Sequence, residues 1–235
     1  MALNHGCQTY SKGDIRMRAR HPENPNLHCH YVEEFKTLPV LPGNFPMVTQ
    51  YLETLHSVFE RALNDYRRIL VVRVDPKIPS EINARMTVGD HQRLIDRFLR
   101  SFKSIIKSDH QRRSRGDWAP HTKVRYVWCR EFYQEGKPHY HFLFILNRDV
   151  YHQIGSPCSP QENLATRISR AWYSALGLEW NQNCPLIHIP DQPQYWVDRD
   201  DVHSLHRAFR RASYLCKSDS KHYGDGMRSF GASRS

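Results

Sequence analysis

The runs VRYVWCREF (124–132) and HYHFLFIL (139–146), separated by the short polar connection Tyr133 to Pro138, decide the fold. Both are rich in β-branched and aromatic residues, and so brief a link joins them as an antiparallel hairpin. Upstream, Arg68-Ile-Leu-Val-Val-Arg-Val74 reads as a buried strand stopped by Asp75-Pro76. From Met47 to about Arg67, Leu52, Leu55, Phe59, Ala62 and Tyr66 recur at helical spacing. Asp90 is the expected N-cap of a second helix, whose apolar face carries Leu94, Ile95, Phe98, Leu99, Phe102, Ile105 and Ile106, followed by a basic loop over 109–123. Downstream of the hairpin, Ser159-Pro160-Gln161-Glu162 reads as a capping box, leading into Leu164, Ile168, Ala171, Trp172 and Ala175 and a stop at Gly177. A short strand over Leu186 to Ile189 and a last helix from an Asp198 cap to about Lys217 complete the pattern. The order of elements predicts an α+β domain, a mostly antiparallel sheet with helices packed on it, over residues 47–222. Prolines 22, 25, 39, 42 and 46 make residues 1–46 an arm that is extended on the domain or partly disordered, and 223–235 reads as a flexible basic tail.

A chain of 235 residues has room for one domain and some extra material, and 39% hydrophobic with 25% charged residues excludes full disorder. The longest apolar stretches, Ile69 to Val72 and Phe142 to Leu146, are far short of the ~20 residues of a spanning helix. MALNHGCQTY at the start lacks the apolar core of a signal peptide. The expectation is a cytoplasmic protein with no membrane partner. Its net charge of +10 favours a polyanionic partner, nucleic acid being the commonest one in that compartment. The six cysteines form no CxxC pair, so neither a zinc ribbon nor a thioredoxin-like motif is present, and free thiols are expected.

The sharpest chemical constellation is Glu131 with His139-Tyr140-His141. Strand residues two apart share a face, which sets two imidazoles side by side at ~6 to 7 Å along the backbone. An HxH alone reads as two histidines on a polar sheet face. A carboxylate that the hairpin register brings opposite either one changes that reading to a three-ligand divalent metal site with open positions. Glu135 is the alternative third ligand if the register differs. The second constellation is Tyr214-Leu-Cys-Lys217. At about 100° per residue, Val202, Leu205, Phe209, Ala212 and Cys216 make one stripe, with Tyr214 nearly opposite among His203, Arg207, Arg210 and Lys217. The bland alternative is a solvated cationic face with an exposed tyrosine.

Together these sites suggest phosphodiester chemistry. A metal on His139, His141 and Glu131 would withdraw charge from a non-bridging phosphate oxygen. Tyr214 would attack the phosphorus and form a covalent phosphotyrosine. Lys217 either helps deprotonate the phenol, stabilises the phenolate or holds a phosphate. Arg112, Arg113, Arg115 and Lys123, with Arg207 and Arg210, are the candidate phosphate contacts, and Trp118, Tyr126 and Trp128 the candidate stacking residues, the alternative for Tyr126 and Trp128, which alternate on one strand face, being a place in the core. His28-Cys29-His30 has neither a strand pattern nor a nearby ligand partner and reads as a surface segment.

PHYHFLFIL resembles the His-hydrophobic-His strand of the HUH endonucleases, with Glu131 where viral members carry an acidic ligand. YLCK is similar to their Tyr-x-x-Lys motif. Within the superfamily, residues 47 to 222 look like the phage and prophage replication proteins of the inovirus gene II and YagK-YfjJ type. The resemblance implies a ferredoxin-like or RRM-like sheet, nicking of single-stranded DNA at a replication origin, a 5′-phosphotyrosine, a free 3′-OH primer, and Mg²⁺ or Mn²⁺. It departs from the pattern in places. Val71-Val-Arg-Val-Asp75 matches the first-strand motif only loosely, and the YLCK motif holds a single tyrosine, Tyr223 following nine residues on. No GxxxxGK[ST] occurs, so a host helicase and polymerase would be needed. The alternatives are a single-tyrosine transposase or relaxase, a non-catalytic DNA-binding regulator, and a metal-dependent small-molecule enzyme. The last wants a glutamate soon after the second histidine, and 142–146 has none.

Overall fold

The computed structural model describes residues 19–115, 119–132 and 137–234. Short strands β1 (Cys29–His30), β2 (Glu34–Phe35), β3 (Leu38–Pro39) and β4 (Met47–Val48) precede helix α1 (Thr49–Asp65). They are followed by β5 (Arg68–Pro76), α2 (Ser80–Asn83), α3 (Val88–Arg113), β6 (Arg125–Phe132), β7 (Pro138–Asn147) and α4 (Leu164–Leu176). Strands β8 (Ile187–His188) and β9 (Gln194–Asp198), helix α5 (Val202–Ala212), a 3₁₀ turn over Ser213–Cys216 and strand β10 (Phe230–Ala232) complete the chain.

The main sheet is antiparallel, in the order β10-β6-β7-β5, with both β8 and β9 paired to β5. The unit β5-α3-β6-β7-α4-β9 is a split βαβ arrangement with β5 and β7 at its centre, in keeping with the α+β class that the order of elements predicts and the ferredoxin-like sheet that the resemblance implies. Central position explains the composition of those strands: buried on both faces, they carry near-continuous apolar runs. Even-numbered residues of β5 and β7 (Leu70, Val72, Phe142, Phe144) pack beneath α3 and α4. Phe98 of α3 meets Phe142 and Trp172 edge-on, each with ring centroids 5.0 Å apart. The odd-numbered Ile69, Val71, Leu143 and Ile145 pack with α1 and α5 on the opposite face. At ~1.5–3 kcal/mol for each large side chain removed from water, these two apolar layers dominate stability. The alternation also puts odd-numbered His139 and His141 on the α1/α5 face.

Several boundaries differ from expectation. Thr87, not Asp90, caps α3: its hydroxyl accepts from Asp90 N–H, and the Asp90 carboxylate returns to Thr87 N–H. The helix continues to Arg113, because nothing in Asp109-His-Gln-Arg-Arg113 breaks it, so the expected basic loop is partly helical. Asn163 rather than Ser159 caps α4, through a box with Thr166, while Ser159 accepts from Gln161 N–H in a preceding turn. Gly177, at φ 73°, ends α4 as expected. Asp201, not Asp198, caps α5, because Asp198 is the last residue of β9, a strand the sequence reading omits. The expected tail contributes β10, whose Phe230 pairs with Cys129 and is buried. Cys29–His30, read as plain surface, pairs with Val48 and Met47. Among the described residues no helix is long and apolar enough to cross a membrane.

Candidate active site

The hairpin register pairs Glu131 with His139 and Cys129 with His141. Directly opposed residues share a face, so the carboxylate and both imidazoles project on the α1/α5 side, as the sequence offset suggests. Neighbouring β5 adds Arg73 and Asp75 to that face through the Arg73↔Leu143 pairing. After α5, the 3₁₀ turn carries Tyr214 over this end of the sheet, and Lys217 and Lys221 follow.

Glu131 is the hub and is fully buried. Its Oε1 lies 2.8 Å from Lys221 Nζ, and its Oε2 lies 3.1 Å from Lys217 Nζ and 3.3 Å from His141 Nε2. Burial alone would raise its pKa, but the His141 contact and the Lys221 charge outweigh that and hold it well below the ordinary carboxylate range. On the far side of the ring, His141 Nδ1 lies 2.7 Å from Asp75 Oδ1. Arg73 grips Asp75 with Nε and Nη2 at 3.1 and 3.2 Å. An ionised carboxylate only accepts, so Nδ1 carries the proton. The 3.0 Å approach of Arg73 Nη2 to Nδ1 is then a close contact between two donors. Burial lowers the His141 pKa, and the hydrogen bonds to Asp75 and Glu131 more than restore it, leaving it raised above 6.5.

The half-buried Tyr214 ring stands edge-on to His141, with centroids 6.0 Å apart at 83°. Arg73 Cζ lies 4.6 Å over the Tyr214 ring, and Lys217 Nζ donates to Tyr214 Oη at 3.0 Å. A single ammonium therefore links the phenol to the buried carboxylate. Burial lowers the Lys217 pKa, but the Tyr214 hydrogen bond and the Glu131 charge reverse the shift, so the amine stays protonated. The expected surroundings of Tyr214 need correction. Arg207 and Arg210 are exposed on α5, whereas the cations over the ring are Arg73, Lys217 and, at 5.7 Å, Arg211. The cause is the change from 3.6 to 3.0 residues per turn, which rotates Tyr214 away from its α-helical phase.

The predicted DNA-contacting loop does not join this cluster. Arg112 and Arg113 belong to α3, in the helical layer across the sheet from Tyr214, and both pair with Asp109. Arg112 also meets Glu162, and Lys123 pairs with Asp65 at 2.8 Å, while Arg115 is exposed. Trp128 is a core residue and Tyr126 is half-buried beneath Lys103, which corrects the stacking roles expected for them. Trp118 and Glu135 lie outside the described residues. Sequence reasoning missed Arg73, Asp75 and Lys221 as part of the cluster. The first two break the apolar run of β5 after Val72, a usable signal, whereas nothing around Lys221 distinguishes it.

Among the described residues, no group of three or more His, Cys, Asp and Glu side chains forms a ready metal cage. Two donors nonetheless suit a cation. His141 Nε2 is buried with Glu131 Oε2 at 3.3 Å as its polar neighbour, and its ring is held by Nδ1–H to Asp75, the orientation in which a deprotonated Nε2 would face a metal. Glu131 Oε2 is beside it, and exposed His139 stands opposite Glu131 in the ladder.

These charges set a pH dependence. Raised His141 contributes stability that is complete below pH 6.5 and is lost as pH rises through its folded pKa. Lowered Asp75 and Glu131 contribute stability present above about pH 4 and lost on further acidification. Urea unfolding should therefore give a plateau between about pH 4.5 and 6.5 with decline on both sides. Asp75→Asn should flatten the alkaline limb, and an unchanged alkaline limb in that variant would remove Asp75 as its cause.

A split βαβ domain with helical layers on both faces, and a buried Glu-His-Asp ion cluster under a tyrosine, is the class these observations define. The chain belongs to the YagK/YfjJ C-terminal domain family, which matches residues 32–233. It is 31% identical over 197 residues to the uncharacterized protein YfjJ of Escherichia coli (strain K12), covering 80% of this chain and 95% of that protein. It is 30% identical over 195 residues to the uncharacterized protein YagK of the same strain, covering 80% and 93%. No solved structure matches the chain.

Proposed function

We propose that this protein is an HUH-type endonuclease that nicks and rejoins single-stranded DNA, initiating replication of a phage or mobile element with a host helicase and polymerase. The observation that carries this reading is the ammonium bridge, Lys217 Nζ 3.0 Å from Tyr214 Oη and 3.1 Å from Glu131 Oε2. It ties a potential nucleophile to the carboxylate of a His-Glu pair. Mg²⁺ or Mn²⁺ would be held by His141, Glu131 and His139, and would supply Lewis-acid polarisation of the phosphate. Tyr214 Oη would lose its proton to solvent and bond to phosphorus. The P–O3′ bond would break, and the departing oxygen would take up a proton to become the 3′-OH. Lys217 would favour the phenolate, and Arg73 would hold the ring in place. A transposase or relaxase would use the same step on other DNA.

The contacts of Lys217 and Lys221 with Glu131 favour a second reading, in which the carboxylate is neutralised by lysines alone and the domain binds DNA as a regulator without cutting it. Incubating the full chain with labelled single strands and Mn²⁺, then mapping adducts by mass spectrometry, separates the two. Nucleotide attached at Tyr214, and absent from Tyr214→Phe, is the expected result. Binding without any adduct across origin-derived sequences would leave the regulator.

A further inference from the structure

Two hollows open beside the outer edge of β10, and they share Arg228. The first, about 440 Å³, is lined by Tyr51, Tyr223, Met227 and Phe230. Within it Tyr51 stacks flat on Phe230, with centroids 4.1 Å apart at 5°, and donates to Tyr223 Oη at 3.4 Å. The second, about 460 Å³, is lined by Arg61, Arg228 and Arg234, with Thr54, Ser57 and a single acid, Glu53. Arg61 anchors through Nη2 to Ser233 O at 3.0 Å, while its buried Nε has no hydrogen-bond partner among the described residues. The wall opposite β10 is one stripe of α1, from Tyr51 to Arg61, about 15 Å long at 1.5 Å per residue. Three guanidinium groups against one carboxylate attract an anion, and the aromatic end suits a flat apolar ring. A polymer with bases and phosphates on one backbone satisfies both ends; an inorganic anion or an apolar ligand satisfies one.

We infer that this trough between α1 and β10 binds a single-stranded polynucleotide, with a base at the Tyr51/Tyr223 end and phosphates at Arg61, Arg228 and Arg234. The segment linking it to the Tyr214 cluster is short. Lys221, bound to Glu131, stands two residues before Tyr223. The trough thus extends the nuclease reading, on which it rests, by giving the strand a path leading away from the cluster. It also takes the place of the α3 arginines, which occupy the other layer.

The test is fluorescence anisotropy of a fluorescein-labelled dT20 with the full chain in EDTA. Arg228→Glu with Arg234→Glu should weaken binding at least ~10-fold and lower the slope of log K against log salt by about 1.4, about 0.7 for each phosphate no longer neutralised. Arg100→Glu with Lys107→Glu, an equal charge change on the exposed side of α3 in the other helical layer, should stay within ~2-fold of wild type because salt screens it from the strand. A 5-iodouracil strand should photocross-link to the segment from Lys221 to Arg234 or to α1. Equal losses in both double variants, cross-links confined to other segments, or competition by dTMP as strong as by dT20 would overturn the proposal. The two readings fail separately. Binding that needs Arg228 and Arg234 without any Tyr214 adduct keeps the trough and removes the nuclease, and a Tyr214 adduct with binding indifferent to both arginines does the reverse.

Discussion

Glu131→Gln should destabilise the fold by about 3–5 kcal/mol, the cost of removing one member of a buried ion cluster and leaving its partners unmatched. Glutamine has the same shape, so no cavity enters the comparison. What changes is charge. Lys221, with a fully buried side chain, and Lys217, nearly so, would face an amide that cannot neutralise either of them. Both ammoniums are now held protonated partly by Glu131. The loss should be felt along the chain, because the Glu131–Lys221 contact ties the end of β6 to the segment that leads into β10. A second variant separates charge from shape. Glu131→Gln combined with Lys221→Met should recover most of the stability, since a buried pair replaced by groups of similar volume is often nearly neutral. Urea unfolding at pH 7 reads both, and a single variant within about 1 kcal/mol of wild type would show that water reaches the cluster.

The hairpin explains why half of this cluster was legible in the sequence. Two strand-like runs with so short a connection leave few registers, and any that keeps the apolar sets on their proper faces puts Glu131 with one of the histidines. The sequence puts Tyr214 outside the core, where the structure also has it, but not among its actual neighbours. The sequence shows no sign of the point at which α5 tightens into a 3₁₀ turn, and a rotation error there grows with every residue. Arg112 and Arg113 mislead for a different reason. A run of basic residues after an apolar helix looks like an exposed loop, yet buried Asp109 recruits both, together with Arg167 and Tyr151. Long-range ion pairs of this kind leave no local pattern. The same holds for β10: Phe230-Gly-Ala232 is too short to read as a strand, and its partner lies about a hundred residues upstream.

Lys217→Met should slow formation of the Tyr214 adduct at pH 7 by about 10- to 10²-fold, the ~1.5–3 kcal/mol of a hydrogen bond to a charged group that favours the phenolate before it attacks. The role at issue is donor against base. Held protonated by Tyr214 and Glu131, Lys217 has no lone pair to take the phenolic proton at neutral pH, but it can stabilise the phenolate once that proton has left. The two roles differ in their dependence on pH. If the amine is a donor, the variant must ionise its phenol unaided, so its rate should climb more steeply with pH than that of wild type and the gap between them should narrow toward about pH 9.5. Lys217→Arg, which keeps the charge, should recover part of the rate at pH 7. If Lys217 were the base, the wild-type rate would rise as the amine loses its proton and the deficit of the methionine variant would widen with pH. Thermal unfolding of each variant guards against a trivial loss of structure, because Lys221 and His141 still neutralise Glu131 when Lys217 is gone. A deficit that grows between pH 7 and 9.5 would remove the donor assignment and make the ammonium bridge a resting state that must open before Tyr214 can react.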